Sequence, residues 1–277
     1  MNEQQRKALE ILKVCIDICE KWDIRYYMVC GSALGAVKYQ GFIPWDDDID
    51  VGMLRPDYER FLEVAQQELP EGYFLQNYRT QPVFPHAYTK LRDSNTTFIE
   101  ADVVEFPINH GIYIDIFPLD GYPEGRWKEK LFCLRRKLYE WMRIAALPDS
   151  PKRWVRVRNR IFRILGCHKR TAAVQKKLEK LYLESPVENS KLWCNFGNWQ
   201  RELEYAPRAQ YGQGTWGTFE GLRVRIPENY DAYLTQKYGD WRSDPPKEAQ
   251  KSHHVAVVCD VNRPYTEYLK NKDAAKK

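Results

Sequence analysis

Residues 31–53 read GSALGAVKYQGFIPWDDDIDVGM and place four aspartates, Asp46, Asp47, Asp48 and Asp50, in five positions beside an apolar run. In an extended chain successive side chains point to opposite faces, so Asp46, Asp48 and Asp50 share one face and Asp47, Ile49 and Val51 the other. Alternate positions lie about 7 Å apart, a spacing at which like charges resist joint ionisation unless a cation lies between them. An all-oxygen donor set of this kind selects a hard ion, Mg²⁺ or Mn²⁺. The plainer alternative is a solvated loop in which Asp46 or Asp47 caps a turn. The strand pattern of residues 49–54 and the stiff Pro44-Trp45 entry argue for a built site instead.

Upstream, residues 24–31 (IRYYMVCG) have the aromatic and β-branched content of a buried strand, and they arrive at Gly31 and Ser32. Residues 32–40 then have the small side chains of a short helix, whose first N–H groups and Ser32 hydroxyl suit a phosphate. Farther out, residues 7–22 repeat apolar positions at helical spacing, and residues 56–69 form a second helix entered at Pro56. Residues 73–78, 86–94 and 111–121 read as strands. Beyond Tyr122 the pattern turns helical, over 126–147, 153–165 and 172–185, before short strands near 192–196 and 218–226 and a helix over 228–239. The expected class is α+β, a mixed sheet flanked by helices with a helical, basic second half. The expected boundary divides a catalytic core, 1–122, from basic and substrate-binding elements, 123–277, packed against it.

Composition bounds the rest. The 277 residues include nine Trp, 18 Tyr and 11 Phe, too many core formers for a disordered chain. No apolar run approaches the roughly 18 residues of a membrane span, and MNEQQRKALE lacks the apolar segment of a secretory signal. A cytoplasmic protein is expected, with its seven cysteines reduced because none forms a CxxC pair. Cys15 and Cys19 would share a helix face, as core residues more readily than as metal ligands. The formal charge of +5 hides an asymmetry: residues 126–170 carry fifteen Lys or Arg against three acids, a net of +12. Such a block is either a solvated helical face or a surface for polyanions, anionic lipid or nucleic acid.

A glycine-serine turn, a spacer, and an acid-apolar-acid triplet on the next strand resemble the polymerase-β-like nucleotidyltransferases, here with a longer spacer than usual. Four blocks bring the resemblance closer: residues 31–53, YTKLRDSNTTFIE, GIYIDIFPLDG and YDAYLTQKYGDW, which together reach from residue 31 to residue 241. They resemble the LicD family, bacterial phosphocholine transferases related to fukutin and fukutin-related protein. The resemblance implies a nucleotidyltransferase-like core. It also implies metal-dependent transfer of phosphocholine from CDP-choline to a sugar hydroxyl of a cell-surface glycan, lipopolysaccharide or teichoic-acid precursor. It places the metal on Asp48 and Asp50 with Asp46 supporting, and Asp115 as the third carboxylate and a catalytic residue with them.

Asp115 sits mid-strand in an apolar run, where an unpaired charge would cost several kcal/mol, so it either serves a site, pairs with a buried Arg or caps a turn. Asp120, before Gly121, reads as a turn residue. Lys90 and Arg92 share a strand face and either clamp a diphosphate or stand in solvent. Gly31 and Ser32 would touch a phosphate oxygen. His253 and His254 would reach the substrate or form a surface pair. Trp45, Tyr211 and Trp216 are the candidates for caging a quaternary ammonium or, alternatively, core residues. The basic segment would hold a polyanionic, lipid-linked acceptor and draw the chain to the inner face of the membrane. The alternative is a nucleotidyltransferase or nucleic-acid enzyme on the same fold; no nucleic-acid recognition motif accompanies the charge, so no nucleic acid is expected.

Overall fold

The computed structural model describes residues 1–148, 152–197, 204–251 and 256–274. Helix α1 (Glu3–Lys21) begins at a reciprocal cap: Gln5 N–H donates to the Asn2 side chain, and Asn2 N–H donates to the Gln5 side chain. Two of the first turn's orphan donors are thereby satisfied. There follow β1 (Tyr27–Met28), α2 (Cys30–Leu34), a π turn over Gly35–Tyr39, β2 (Asp50–Leu54), α3 (Arg55–Glu68), β3 (Tyr73–Gln76), β4 (Thr89–Asp93), β5 (Thr97–Glu100) and β6 (Ile112–Gly121). The second half holds α4 (Arg126–Ile144), α5 (Arg153–Ile164), α6 (Thr171–Tyr182), β7 (Leu192–Asn195), β8 (Tyr205–Pro207), α7 (Arg208–Tyr211), β9 (Thr215–Phe219), β10 (Leu222–Ile226), α8 (Tyr230–Tyr238), β11 (Ala256–Asp260) and α9 (Tyr265–Ala274).

The main sheet has the order β1-β2-β6-β4-β3, with β7 paired to β6 and β8 to β7. Only β2 and β6 run parallel, so the sheet is mixed and the class is α+β. Every residue of β6 is buried, because β2 borders one edge while β4 and then β7 border the other. Residues 97–100, assigned to no element from sequence, form β5 and pair with β11 across more than 150 intervening residues.

Asp120 is not a turn residue. It lies inside β6, 1% exposed, and accepts two hydrogen bonds, of 2.7 and 2.6 Å, from the Arg55 guanidinium. The apolar core joins Ile11, Tyr27, Met53, Phe61 and Ile114 to Trp193, Tyr211, Val224 and Leu234 from far downstream. A smaller cluster, including Phe132, Leu178, Tyr182 and Phe196, fastens α4 and α6 to β7. Each such side chain contributes about 1.5–3 kcal/mol on burial. Cys15 and Cys19 lie in this core, and all seven cysteines are free thiols. Among the described residues no helix is long and apolar enough to cross a membrane.

Candidate active site

Strand register brings the chemistry together. Asp50 on β2 stands opposite Asp115 on β6, and Asp115 stands opposite Lys90 on β4, so the three occupy one row across neighbouring strands. The entry to this row is set by the turn after β1. Cys30 adopts a left-handed φ of 54°, and its N–H donates to the Tyr233 hydroxyl at 3.1 Å, which holds that conformation in place. Gly31 then passes so close to the acidic loop that an added Cβ would lie 2.8 Å from Asp46 Oδ2.

Ser32 is buried, and its Oγ accepts a hydrogen bond of 2.8 Å from the Asp50 N–H. Its role in the fold is therefore to fix the start of β2, in place of the open hydroxyl expected from sequence. The loop itself is held from α1, where the Gln5 side chain donates to the Asp46 carbonyl and Gln4 to the Asp47 carboxylate.

A cavity of about 870 Å³ opens over the row. Asp46, Asp48, Asp50 and Asp115 all line it, while Asp47 and Ile49 do not, so the alternation of faces extends through the loop. Burial, then the neighbouring Asp115 and Asp46, push the Asp50 carboxyl up to about 8. Lys90, 3.4 Å from Asp115 and 3.1 Å from Glu100, supplies the nearest positive charge to Asp115. Burial alone would raise the Glu100 carboxyl, yet Lys90 and Arg92 together hold it well below the usual range.

Lys90 and Arg92 do share a face, but they do not reach the cavity as a diphosphate clamp. Both are almost fully buried; Arg92 donates to Gln76, the Gly111 carbonyl and Glu100. The shielding comes from Tyr113, whose ring lies under both cations. Lys90 therefore props Asp115 from behind.

The cations that do line the cavity are Lys38, Arg143, Lys237 and Lys251. Lys237 is buried, ion-paired with Glu204 and 3.6 Å from the Cys30 thiol. It belongs to the YDAYLTQKYGDW block, the signal that would have found it from sequence. The same holds for Glu100, the last residue of YTKLRDSNTTFIE. His86, also missed, stacks between Phe84 and Tyr88 on the cavity wall, and burial, then Lys90, pushes its imidazole down to about 3. Of the three aromatic candidates only Trp45 lines the cavity. Tyr211 is a core residue, and Trp216 lies on the surface beneath Arg223 and Arg225. His253 and His254 lie outside the described residues.

A divalent cation fits the donor chemistry of Asp46, Asp48, Asp50 and Asp115, and would relieve the crowding that raises the Asp50 carboxyl. Among the described residues no three acidic, His or Cys side chains close on one point as a complete metal cage. An ion here would be held by one or two carboxylates, with water and substrate phosphate completing its shell.

Asp50 and Asp115 thus face one another across parallel strands, in a cavity whose lining carries both carboxylates and the four cations Lys38, Arg143, Lys237 and Lys251. Residues 23–148 match the family model described as LicD/FKTN/FKRP, nucleotidyltransferase domain. The lipopolysaccharide cholinephosphotransferase LicD of Haemophilus influenzae is 32% identical over 267 residues, 92% of this chain and 96% of that protein. An uncharacterized protein of Rickettsia prowazekii is 31% identical over 122 residues, 43% of this chain and 42% of its own length. This chain belongs to the LicD family.

Proposed function

We propose that the chain is a phosphotransferase that moves phosphocholine from CDP-choline to a sugar hydroxyl of a cell-surface glycan precursor, in the cytoplasm. The observation that carries this reading is the Asp50–Asp115 register pair at the floor of the cavity. The near full-length similarity to a cholinephosphotransferase supports the same chemistry. A volume of about 870 Å³ is in the range that encloses a nucleotide-sized ligand. Trp45, Tyr39, Tyr88 and Tyr238 on its walls suit a trimethylammonium group by cation–π attraction.

Asp50 and Asp115, with Asp48 and Asp46 toward the loop, would hold a Mg²⁺ or Mn²⁺ ion, which when bound supplies positive charge against the diphosphate. Lys237 and Arg143 also line the cavity. The acceptor oxygen attacks the phosphorus that carries choline as its proton passes to Asp115, a new P–O bond forms, the bond to the bridging oxygen breaks, and CMP leaves with that oxygen. Attack at the other phosphorus would instead release phosphocholine and leave CMP on the acceptor, so product identity separates transferase from nucleotidyltransferase.

CMP release from CDP-choline, CDP-ethanolamine, CDP-glycerol and CDP-ribitol, each with Mg²⁺ or Mn²⁺, tests the proposal. Release from CDP-choline that falls at least about 100-fold in Asp50→Asn and Asp115→Asn, with melting temperatures retained, is the expected result, since each removes a carboxylate that would hold the metal ion. Turnover of CDP-choline that persists in both variants would overturn the site assignment, and release from another donor alone would overturn the donor.

A further inference from the structure

Helices α4 and α5 are amphipathic the wrong way round for a water-soluble surface. On α4, Trp127, Leu131, Leu134 and Leu138 follow helical spacing and are exposed, Trp127 at 80%, whereas the buried residues are Phe132, Glu140 and Arg143. On α5, Trp154, Val157, Ile161 and Ile164 form an exposed stripe, Ile164 at 77%, and the one buried residue is Asn159. Among the described residues, ten of the seventeen exposed large hydrophobic side chains fall between Trp127 and Leu183. A monomeric surface rarely gathers its apolar groups in this way.

The charge around the stripe selects its partner. Residues 126–170 carry the net +12, and α5 contains no acidic residue. Arg158 lies 5.4 Å from both Trp141 on α4 and Trp154 on α5, so the two helices present their aromatic rings together. A second copy of the chain, docking by a two-fold contact, would set this cationic face against itself. A polyanion alone would satisfy the charge but leave the stripe in water.

We infer that α4 and α5 form a platform that lies on an anionic phospholipid bilayer, with the apolar stripe at acyl depth and the Lys and Arg side chains at the headgroups. Tryptophan favours the boundary between headgroups and acyl chains. The platform is joined to the cavity, because Arg143 and Ile144 at the end of α4, and Leu147 beyond it, line the cavity wall. A chain seated this way opens its site beside the membrane, where a lipid-carried acceptor is available. This attachment goes beyond the proposed transfer chemistry and stands without it.

The test is co-sedimentation of the full chain with vesicles of phosphatidylcholine and phosphatidylglycerol at 3:1, against phosphatidylcholine alone. The chain is expected to pellet with the anionic vesicles and to shift its tryptophan emission to the blue. Binding should fall at least tenfold in Leu134→Glu with Leu131→Glu, and again in Ile161→Glu with Ile164→Glu. Arg153→Gln with Arg160→Gln should weaken it and flatten its salt dependence. All six positions are exposed, so unchanged melting temperatures show that the variants still fold. A chain that stays in the supernatant with both vesicles, or binds equally well with glutamates on the stripe, overturns the inference. So does a concentration-dependent dimer, abolished by the same glutamates, in a chain that does not bind vesicles.

Discussion

Two residues on the cavity wall carry opposite anomalies. Asp50 holds its proton near neutrality because burial and two neighbouring carboxylates oppose its charge. His86 stays neutral well below its ordinary range because burial and the cations behind it oppose protonation. The imidazole has a consequence for stability. Below pH 6.5 the unfolded chain binds a proton at this position and the folded chain does not, so stability rises with pH across that window. Between pH 7 and pH 5 the effect amounts to about 2 kcal/mol. His86→Phe keeps the ring between Phe84 and Tyr88 and sacrifices no hydrogen bond of Nε2, which has no partner among the described residues. Urea titrations at pH 5 and pH 7 should show the wild type losing about 2 kcal/mol more than His86→Phe. Equal losses would mean that His86 titrates normally in the fold.

At the scale of elements, the joint between α3 and β6 depends on one buried ion pair. Arg55 donates in two places to Asp120, both are nearly inaccessible, and Glu59 and Glu179 take the rest of the guanidinium. Removing one charge strands the other. Asp120→Asn should therefore cost about 3–5 kcal/mol, whereas Arg55→Met with Asp120→Leu should recover most of that loss. Denaturant midpoints of the single and double variants decide this, and a mild single variant would mean that Glu59 and Glu179 suffice. The pair also shows how much the sequence revealed. Strands β2 and β6 and helix α3 were legible because their apolar periodicity is unbroken. The role of Asp120 was hidden, because an aspartate before glycine reads locally as a turn while its partner lies 65 residues away. Lys90 and Arg92 misled for the same reason: alternating charges suggest a solvent face until Glu100 and Tyr113 are folded over them. The shared face of Asp46, Asp48 and Asp50 was legible in residues 31–53, whereas Asp115 lies in a separate strand block. His86 was not legible, since nothing local tells a cavity-lining His from any other, and Lys237 was signalled only by the YDAYLTQKYGDW block that contains it.

At the scale of the molecule, the site depends on elements that arrive last. Ten members of the main core lie beyond residue 123, among them Trp193, Tyr211, Val224 and Leu234. At about 1.5–3 kcal/mol for each large side chain, their loss exceeds the roughly 5–15 kcal/mol by which a domain is stable. The loss is also structural: β7 pairs with the end of β6, the Tyr27 hydroxyl donates to the Gly212 carbonyl, and Tyr233 holds the Cys30 turn that admits Gly31 to the cavity. Residues 1–122 alone, which contain Asp46, Asp48, Asp50 and Asp115, should therefore show no cooperative urea transition by circular dichroism and release no CMP. A cooperative transition in that fragment would mean that the downstream core residues cover a domain already complete. Its absence would make the acidic row a property of the whole chain, because α8 also brings Lys237 and Tyr238 to the cavity wall opposite the strands.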